Sequence, residues 1–456
     1  MSASPTAIAG GTGLSTVPAK TGTAGRGYRR FLLARTVSWA GSAVTLVALP
    51  LLAYQRSGSA TLTGLLAALE AVPYLLLGLP AGAWADRLDP RRVLVGSSLA
   101  SGLLLATIPL ANALGVLTTF QLLAVAAASA AALTFSDAAG FRALAALVPP
   151  GEMGRATGRL SSAGTVVSLA GPAAGGLLAA GLGAGPTIAL DAVSFAASAL
   201  LMARLPLAVP GQGTAAPGPA SAGSAKPPRR LRADVGAGLR WVWRQPLVRT
   251  LTLIGFGNSL TAGFVTGLVV VVAVRQLGLG TDDGRIGLLY AAAGAGSLLA
   301  SLTIAPLQRR LPLGWISLAG LAGGLAFLAG WTVSRSLATG ALALAGWQAA
   351  NTLVSLNGII IRQTIAPIEL QARVNTSARI IAWGGQPLGA AAGGFTAQHA
   401  GLGHALTLAG VGLAVSVIAG VLTHLPSQPR LADLTTTATH HDSPAPPGAG
   451  EYHSST

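Results

Sequence analysis

Residues 82–92 read GAWADRLDPRR, a charged segment between two long apolar stretches. Before Asp86, residues 57–85 contain one charged side chain, Glu70, and after Arg92, residues 93–136 contain none. A helix that crosses a bilayer needs about 20 predominantly apolar residues. The first stretch is therefore long enough for one crossing, and the second is long enough for two, with a turn near residues 112–115. This pattern predicts a membrane protein in which a short charged loop joins two spans.

The composition extends this prediction to the whole chain. Of its 456 residues, 52% are hydrophobic and only 9% are charged, against roughly 25% charged in ordinary soluble domains. So few charges cannot cover a water-facing surface, which excludes an ordinary soluble enzyme. The net charge of +16 is scattered between apolar runs and aromatic residues make up 5%, so no nucleic-acid partner is expected. Because the chain contains no cysteine, disulfides, thiolate metal sites and thiol catalysis are excluded.

Charge-poor runs predict an all-α membrane protein with twelve transmembrane helices, six in each half. The first six fall within residues 36–55, 57–85, 93–136 and 160–203, and the last six within residues 251–274, 286–308, 311–334, 336–361 and 380–429. Lys and Arg residues are retained on the cytoplasmic side of a membrane. With both termini cytoplasmic, all but four of the 29 basic residues lie inside, the exceptions being Arg56, Arg275, Arg285 and Arg335.

The same reading divides the chain into five segments. They are a cytoplasmic tail (1–28), a six-helix bundle (29–205), a cytoplasmic linker (206–246), a second six-helix bundle (247–426) and a disordered cytoplasmic tail (427–456). In the linker, Leu231, Val235, Leu239 and Val242 follow helical spacing with arginines between them. This spacing predicts an amphipathic helix on the cytoplasmic membrane surface. His440 and His441 lie in the final tail, so no metal site is expected.

The two halves also resemble each other at a constant offset. The matching pairs are Arg91-Arg92 with Arg309-Arg310, Pro149 with Pro367, Arg155 with Arg373, Gly171 with Gly389, Gly175 with Gly393, Gly176 with Gly394, and Gly183 with Gly401. Two halves in parallel repeat enclose a substrate path at their interface, near the middle of the bilayer.

The charged segment resembles the loop signature of the major facilitator superfamily, Gly-x-x-x-Asp-Arg-x-Gly-Arg-Arg/Lys. The matching positions are Gly82, Asp86, Arg87, Arg91 and Arg92, whereas Asp89 and Pro90 replace a usual glycine and a usual basic residue. The resemblance implies the superfamily's two-bundle fold over roughly residues 28–426. It also implies a cytoplasmic gate in which Asp86 faces a helix N-terminus of the other half, where the helix dipole favours a carboxylate.

A second motif lies in the fifth span. Gly171, Pro172, Gly175 and Gly176 are similar to the antiporter motif of the superfamily, which implies a seal against proton leak; a purely structural kink is the alternative. The phrases at residues 47–54, 191–195, 238–244 and 387–394 resemble the enterobactin-exporter-like branch, also called transmembrane secretion effectors. That branch consists largely of exporters of siderophores, antibiotics and other small molecules.

Two acids within the spans are candidates for proton coupling. Glu70 lies about two turns into the second span, where an ionisable side chain is costly unless it serves a site. The alternatives for Glu70 are a structural hydrogen bond or an interfacial position. Asp191 serves either coupling or helix packing. We expect Asp137 to pair with the nearby Arg142, and Arg35 to extend toward the lipid headgroups.

The uncharged polar residues of the second half either contact a substrate or bridge helices. They are Asn258, Gln348, Asn351, Asn357 and Gln386. Trp347 and Trp383 stack on a ligand or pack in the core, and the sequence does not separate these alternatives.

The sequence lacks the Gly-x-x-x-x-Gly-Lys-Ser/Thr motif, so an ion gradient rather than ATP is the expected energy source, and no cofactor is expected. The leading prediction is proton-coupled efflux of a small amphipathic drug, antibiotic or siderophore by alternating access across the bacterial inner membrane. Its partners are the small molecule, protons and the bilayer. The alternatives are a metabolite-uptake symporter and a membrane scaffold or sensor that transports nothing.

Overall fold

The computed structural model describes residues 21–85, 87–207, 231–366 and 371–423. These residues form α-helices, one short 3₁₀ turn and connecting loops, with no strand among them. The helices are α1 (Thr21–Ser57), α2 (Ala60–Ala85), α3 (Pro90–Ala113), α4 (Thr119–Leu147), α5 (Met153–Leu182), α6 (Ala184–Ala203), α7 (Leu231–Arg244), α8 (Pro246–Arg275), α9 (Ile286–Arg310), α10 (Leu313–Val333), α11 (Leu337–Ile365), α12 (Gln371–His399) and α13 (Leu402–Leu422).

Ten helices in the described ranges are long and apolar enough to cross a membrane. They do not include α7, which has 14 residues, or α11 and α12, which have 29 residues each. α11 and α12 carry more amide and arginine side chains, which lowers their hydropathy. Twelve spans therefore remain a prediction for these two helices, and both of them line cavities.

The predicted turn near residues 112–115 is confirmed, and the long runs 160–203 and 380–429 each divide into two helices. Gly183 separates α5 from α6 with φ 88° and ψ 156°, and Gly401 separates α12 from α13 with φ 98° and ψ 156°. A side chain is strained at such positive φ, which explains the glycines. These two glycines are matched in the internal repeat, so the repeat extends to backbone conformation.

α1 begins at Thr21, earlier than the predicted end of the tail at residue 28. Tyr28 is buried and its hydroxyl donates to the carbonyl of Ala156 at 2.9 Å. It packs with Phe31 and Leu147. This anchoring extends the helix beyond the apolar run that marks the span in the sequence. Residues 1–20 of the predicted N-terminal tail, the whole predicted C-terminal tail (427–456) and the last three residues of the second bundle (424–426) lie outside the described residues.

α7 forms where the sequence predicts an amphipathic helix, whereas residues 208–230 of the linker lie outside the described part. The position of α7 on the membrane surface remains a prediction, and its C-terminal end also packs against protein. There Val242 is 1% exposed and packs with Val248, Val374 and Ala378 of α8 and α12. Burial against protein removes this apolar side chain from water as lipid would.

The helices pack as two groups. In the first group, α6 lies against α1 and α3, α4 against α2 and α3, and α5 against α1. In the second group, α8 lies against α12 and α13, and α11 against α9 and α10. The groups meet where α2 contacts α8 and α12, and where α5 contacts α9. We call the end with Arg87, Arg91 and Arg92 the basic end, and the end with Gly183 and Gly401 the distal end.

The groups meet closely at the distal end because glycines line the contact. A Cβ on Gly176 of α5 would lie 2.6 Å from the Cα of Gly287 in α9. A Cβ on Gly394 of α12 would lie 2.9 Å from the Cα of Gly64 in α2. Small residues let two helix backbones approach. Hydrogen bonds reinforce this contact, including Gln55 to the carbonyl of Thr281 at 2.8 Å.

Candidate functional site: a central cavity between the two helix groups

A cavity of about 770 Å³ lies between the two groups. α1, α2 and α4 form its wall on one side, and α8, α9 and α12 form its wall on the other. It extends toward the basic end, where Gly82 and Arg142 line it. A Cβ on Gly82 would meet no atom of the described residues within 4 Å, in contrast to the glycines of the distal end. Among the described residues, the cavity is therefore closed at the distal end and extends to the basic end.

Glu70 projects from α2 into this cavity and is half-buried. Among the described residues its carboxylate has no ion pair and no hydrogen bond. The opposite wall carries Tyr290, Arg379 and Trp383, and the Arg379 guanidinium lies 5.8 Å from the centre of the Trp383 ring. A carboxylate in apolar surroundings is costly without a partner. Glu70 is therefore available to a proton or to a positively charged ligand.

A second cavity of about 320 Å³ lies inside the first group and shares Leu46, Glu70 and Tyr74 with the central cavity. Asp191 of α6 lines its wall and is 1% exposed. The Asp191 carboxylate accepts hydrogen bonds from Thr45 at 2.6 Å and from Ser194 at 3.0 Å. The hydrogen bonds of Asp191 support its helix-packing alternative. Glu70, in contrast, lines both cavities.

Hydroxyl groups extend the polar lining of the second cavity. The Ser42 and Ser129 hydroxyls line it, are buried and have no hydrogen-bond partner among the described residues. Buried polar atoms without a protein partner are commonly satisfied by ordered water.

Asp137 does not pair with Arg142 as the sequence suggests. It forms an ion pair with Arg35 of α1 at 2.5 Å, and the Arg35 side chain is 7% exposed. Arg35 therefore does not reach toward the headgroups, because a buried guanidinium requires an acidic partner. Arg142 instead donates to the carbonyl of Leu88 at 3.1 Å. The Tyr74 hydroxyl donates to Asp137 at 3.3 Å, which brings this pair to the cavity wall.

The structure separates the polar candidates of the second half. Asn258 donates to the Asn351 carbonyl at 3.2 Å and to Ser355 at 3.3 Å. Asn357 is fully buried and donates to the Leu313 carbonyl at 2.8 Å. These contacts favour the helix-bridging alternative for the two amides.

Of the other candidates, Gln348 bonds to Thr352 in its own helix at 3.3 Å and lines none of the three cavities described in this section. Asn351 and Gln386 do line cavities. Trp347 is 2% exposed in the core, whereas Trp383 is 44% exposed at the cavity wall. The sequence offered the same two roles to both tryptophans, and the structure separates them.

The loop motif is only partly visible at the basic end. Asp86 lies outside the described residues, so its predicted gate contact remains a prediction. Arg91 donates to the carbonyl of Ala203, and Arg87 and Arg92 are exposed. Asp89 caps α3 by accepting from the backbone N–H of Arg91 at 3.0 Å. This cap explains why an acid stands where the superfamily usually has glycine.

The glycines of the fifth-span motif contact two different partners. A Cβ on Gly175 would lie 2.9 Å from the backbone of Val44 in α1, and Gly171 faces Ala43 of the same helix. Gly176 faces α9 of the other group, and a Cβ on Gly287 of α9 would lie 2.6 Å from the carbonyl of Pro172. The motif therefore brings α5 into close contact with α1 of its own group and with α9 of the other group.

A third cavity, of about 170 Å³, lies inside the second group between α8, α11 and α12. Trp383 and Gln386 line both this cavity and the central one. Its wall includes Asn351 and Arg362. Sequence reasoning missed Arg362 as a site residue.

Comparison with known proteins adds three findings. The family model described as Major Facilitator Superfamily matches residues 31–356. The multidrug efflux pump Tap of Mycolicibacterium fortuitum is 32% identical over 287 residues, covering 61% of this chain and 66% of that protein. Tap of Mycobacterium tuberculosis (strain ATCC 25618 / H37Rv) is 30% identical over 293 residues, covering 62% and 65% respectively. The matched regions thus span just under two thirds of these relatives.

Among solved structures, a bacterial homolog of the human lysosomal transporter Spinster, in an inward-facing and unoccupied conformation, has a TM-score of 0.68. It is 16% identical, and the match covers 88% of this chain and 97% of that chain. At this identity the likeness concerns the fold alone.

Proposed function

The chain belongs to the Major Facilitator Superfamily, and from this premise we propose that it exports a small amphipathic molecule in exchange for protons. It is a multi-pass protein of the bacterial inner membrane. The observation that carries the proposal is the position of Glu70, a carboxylate without a partner among the described residues, at the junction of the central and second cavities. The names of its Tap relatives, multidrug efflux pumps, support export.

The direction of opening supports export when the basic end is placed in the cytoplasm. Basic residues are retained on the cytoplasmic side, so the basic end would face the cell interior. A molecule would then enter the central cavity from the cytoplasm while the glycine contacts close the distal end. Rocking of one group against the other would open the distal end and release the molecule outside.

The chemistry of Glu70 supplies the proposed coupling. When the substrate is bound, its positive or polar group stabilises the ionised form of Glu70 relative to the protonated form. After outward opening and release, the uncompensated carboxylate takes a proton from the outer side and carries it inward. Each proton that moves down a pH difference of one unit provides about 1.4 kcal/mol, enough for a roughly tenfold substrate gradient.

Replacement of Glu70 tests this coupling. Glu70→Gln keeps the size and polarity of the side chain but exchanges no proton. In everted membrane vesicles with an acidic interior, we expect the variant to lose gradient-driven accumulation of an amphipathic dye such as rhodamine 123. Glu152→Gln is the matched control because Glu152 is exposed at the end of the 3₁₀ turn that precedes α5. Undiminished uphill transport by Glu70→Gln, at equal protein abundance, would refute the assignment.

A further inference from the structure

Arg362 is a buried cation without a counter-ion among the described residues. It lies near the end of α11, is 4% exposed and lines the third cavity. No acidic side chain in the described ranges forms an ion pair with it, and its Nε has no hydrogen-bond partner. By contrast, Arg35, the other arginine that is buried among the described residues, has Asp137 at 2.5 Å. An isolated buried charge is costly, so this position calls for an anionic partner.

The surroundings of Arg362 contain further polar groups aimed at the same small space. Ser355 accepts a hydrogen bond from Asn258 at 3.3 Å, which leaves its hydroxyl proton free for a ligand. The Asn351 side-chain amide lines the same cavity and forms no hydrogen bond with the described residues, and its NH2 group, unlike its oxygen, can donate to an acid. Gln386 lines the cavity and forms no side-chain hydrogen bond among the described residues. A guanidinium, a hydroxyl and amide groups are the donors that proteins use to bind carboxylates.

The position of the third cavity connects this polar set to the central cavity. Trp383 and Gln386 form part of both walls. The indole of Trp383 is 44% exposed and offers a flat apolar surface beside the polar pocket. A molecule with an aromatic body in the central cavity can therefore extend an acidic group toward Arg362.

We propose that Arg362, with Ser355, Asn351 and Gln386, binds the acidic group of a small organic substrate whose aromatic or apolar body occupies the central cavity. This proposal rests on the proposed function, because it names the substrate class of the same cavity. The substrate is thus an amphipathic molecule that carries a carboxylate or a similar acid, in addition to any positive group that faces Glu70.

Two dyes that differ only in the acidic group test the proposal. Rhodamine 110 carries a free carboxylate, and rhodamine 123 is its methyl ester. Fluorescence anisotropy of each dye with the purified full chain gives both affinities without any ion gradient. We expect Arg362→Gln to weaken rhodamine 110 binding about tenfold or more, as loss of a charge-assisted pair does. Rhodamine 123 binding should change less than about twofold, because the ester has no charge to lose.

Two further variants control for folding and for charge. Arg362→Lys keeps the positive charge and should retain most of the rhodamine 110 affinity. Arg335→Gln removes an exposed arginine of the α10–α11 loop and should leave both dyes unaffected. If Arg362→Gln fails to fold, Gln386→Leu provides the second test and should weaken rhodamine 110 selectively.

Several results would overturn the proposal. The first is that Arg362→Gln binds rhodamine 110 as tightly as the wild type does. The second is that a folded Arg362→Gln loses affinity for both dyes equally. The third is that the wild type does not bind rhodamine 110. The proposal would also fail if Arg362 bound only an inorganic anion. In that case chloride, compared with gluconate, would raise the melting temperature of the wild type but not of Arg362→Gln. Rhodamine 110 binding would be the same in both proteins. Selective binding in a protein that moves no dye would uphold the subsite while refuting export.

Discussion

At the scale of single residues, Glu70 and Asp137 show how packing decides the role of a carboxylate. Both lie on the wall of the central cavity, but Asp137 is bonded to Arg35 and Tyr74, whereas Glu70 has no such partner among the described residues. The sequence placed Glu70 inside a span and so identified it as a candidate. It did not identify the partner of Asp137, because Arg35 comes from a helix distant in sequence.

Loss of the Asp137 charge should destabilise the fold. In Asp137→Asn, the buried Arg35 guanidinium loses its counter-ion, and we expect a loss of about 1–3 kcal/mol in stability. Thermal unfolding of the purified protein measures the change. Arg35→Met combined with Asp137→Leu removes both charges and should recover part of the loss. A melting temperature that is unchanged in Asp137→Asn would contradict a stabilising ion pair.

The sequence analysis did not identify Arg362 because this residue follows directly after the apolar run of its span. The apolar run that marks its span ends at Ile361, so the arginine reads as an ordinary basic residue at a cytoplasmic helix end. Only the fold shows that α8 and α12 enclose it. A signal was available nonetheless: Arg362 lies one turn beyond Asn357 and Gly358 in an unusually polar helix.

At the scale of helices, the repeated glycines form equivalent contacts in the two groups. Gly171 and Gly175 face α1, and their repeat partners Gly389 and Gly393 face α8. The third glycine of each set, Gly176 or Gly394, faces the opposite group. The sequence predicted the repeat and the close packing. It could not tell which glycine faces which helix, since that depends on how the groups meet.

Gly176 and Gly175 provide a matched pair of variants for the distal contact. Gly176→Val should push α5 away from α9 and open the distal end, whereas Gly175→Val should disturb only the packing on α1. Cysteines introduced by Gln55→Cys and Thr281→Cys, in this cysteine-free chain, report closure by disulfide cross-linking. We expect cross-linking per folded molecule to fall several-fold with Gly176→Val only. Equal cross-linking in both variants would contradict the separation of roles.

The repeat extends this prediction to the other side of the contact. Gly394→Val should separate α12 from α2 and reduce the same cross-linking as Gly176→Val does. Its matched control is Gly393→Val, which meets Phe264 of the same group. If Gly394→Val left the distal end closed, the two glycine contacts would not act as one symmetric closure.

At the scale of the whole molecule, composition was sufficient to predict an all-helical membrane protein, and the loop signature to predict its family. The N-terminal extension of α1 and the docking of α7 were not predictable, because Tyr28 and Val242 are held by partners remote in sequence. The cavities likewise arise from the meeting of the groups. The resemblance to the enterobactin-exporter-like branch and the cytoplasmic placement of the termini remain predictions.

Dye accumulation in everted vesicles tests the central claim, proton-driven export, most directly. Vesicles that contain the wild-type chain and have an acidic interior should accumulate rhodamine 123 above the level of vesicles lacking the chain. A protonophore that collapses the gradient should abolish the difference. Accumulation only in right-side-out vesicles would indicate an uptake symporter, and no accumulation in either orientation across a panel of amphipathic dyes would indicate a scaffold or sensor. Either result, or accumulation that the protonophore leaves unchanged, would contradict proton-driven export.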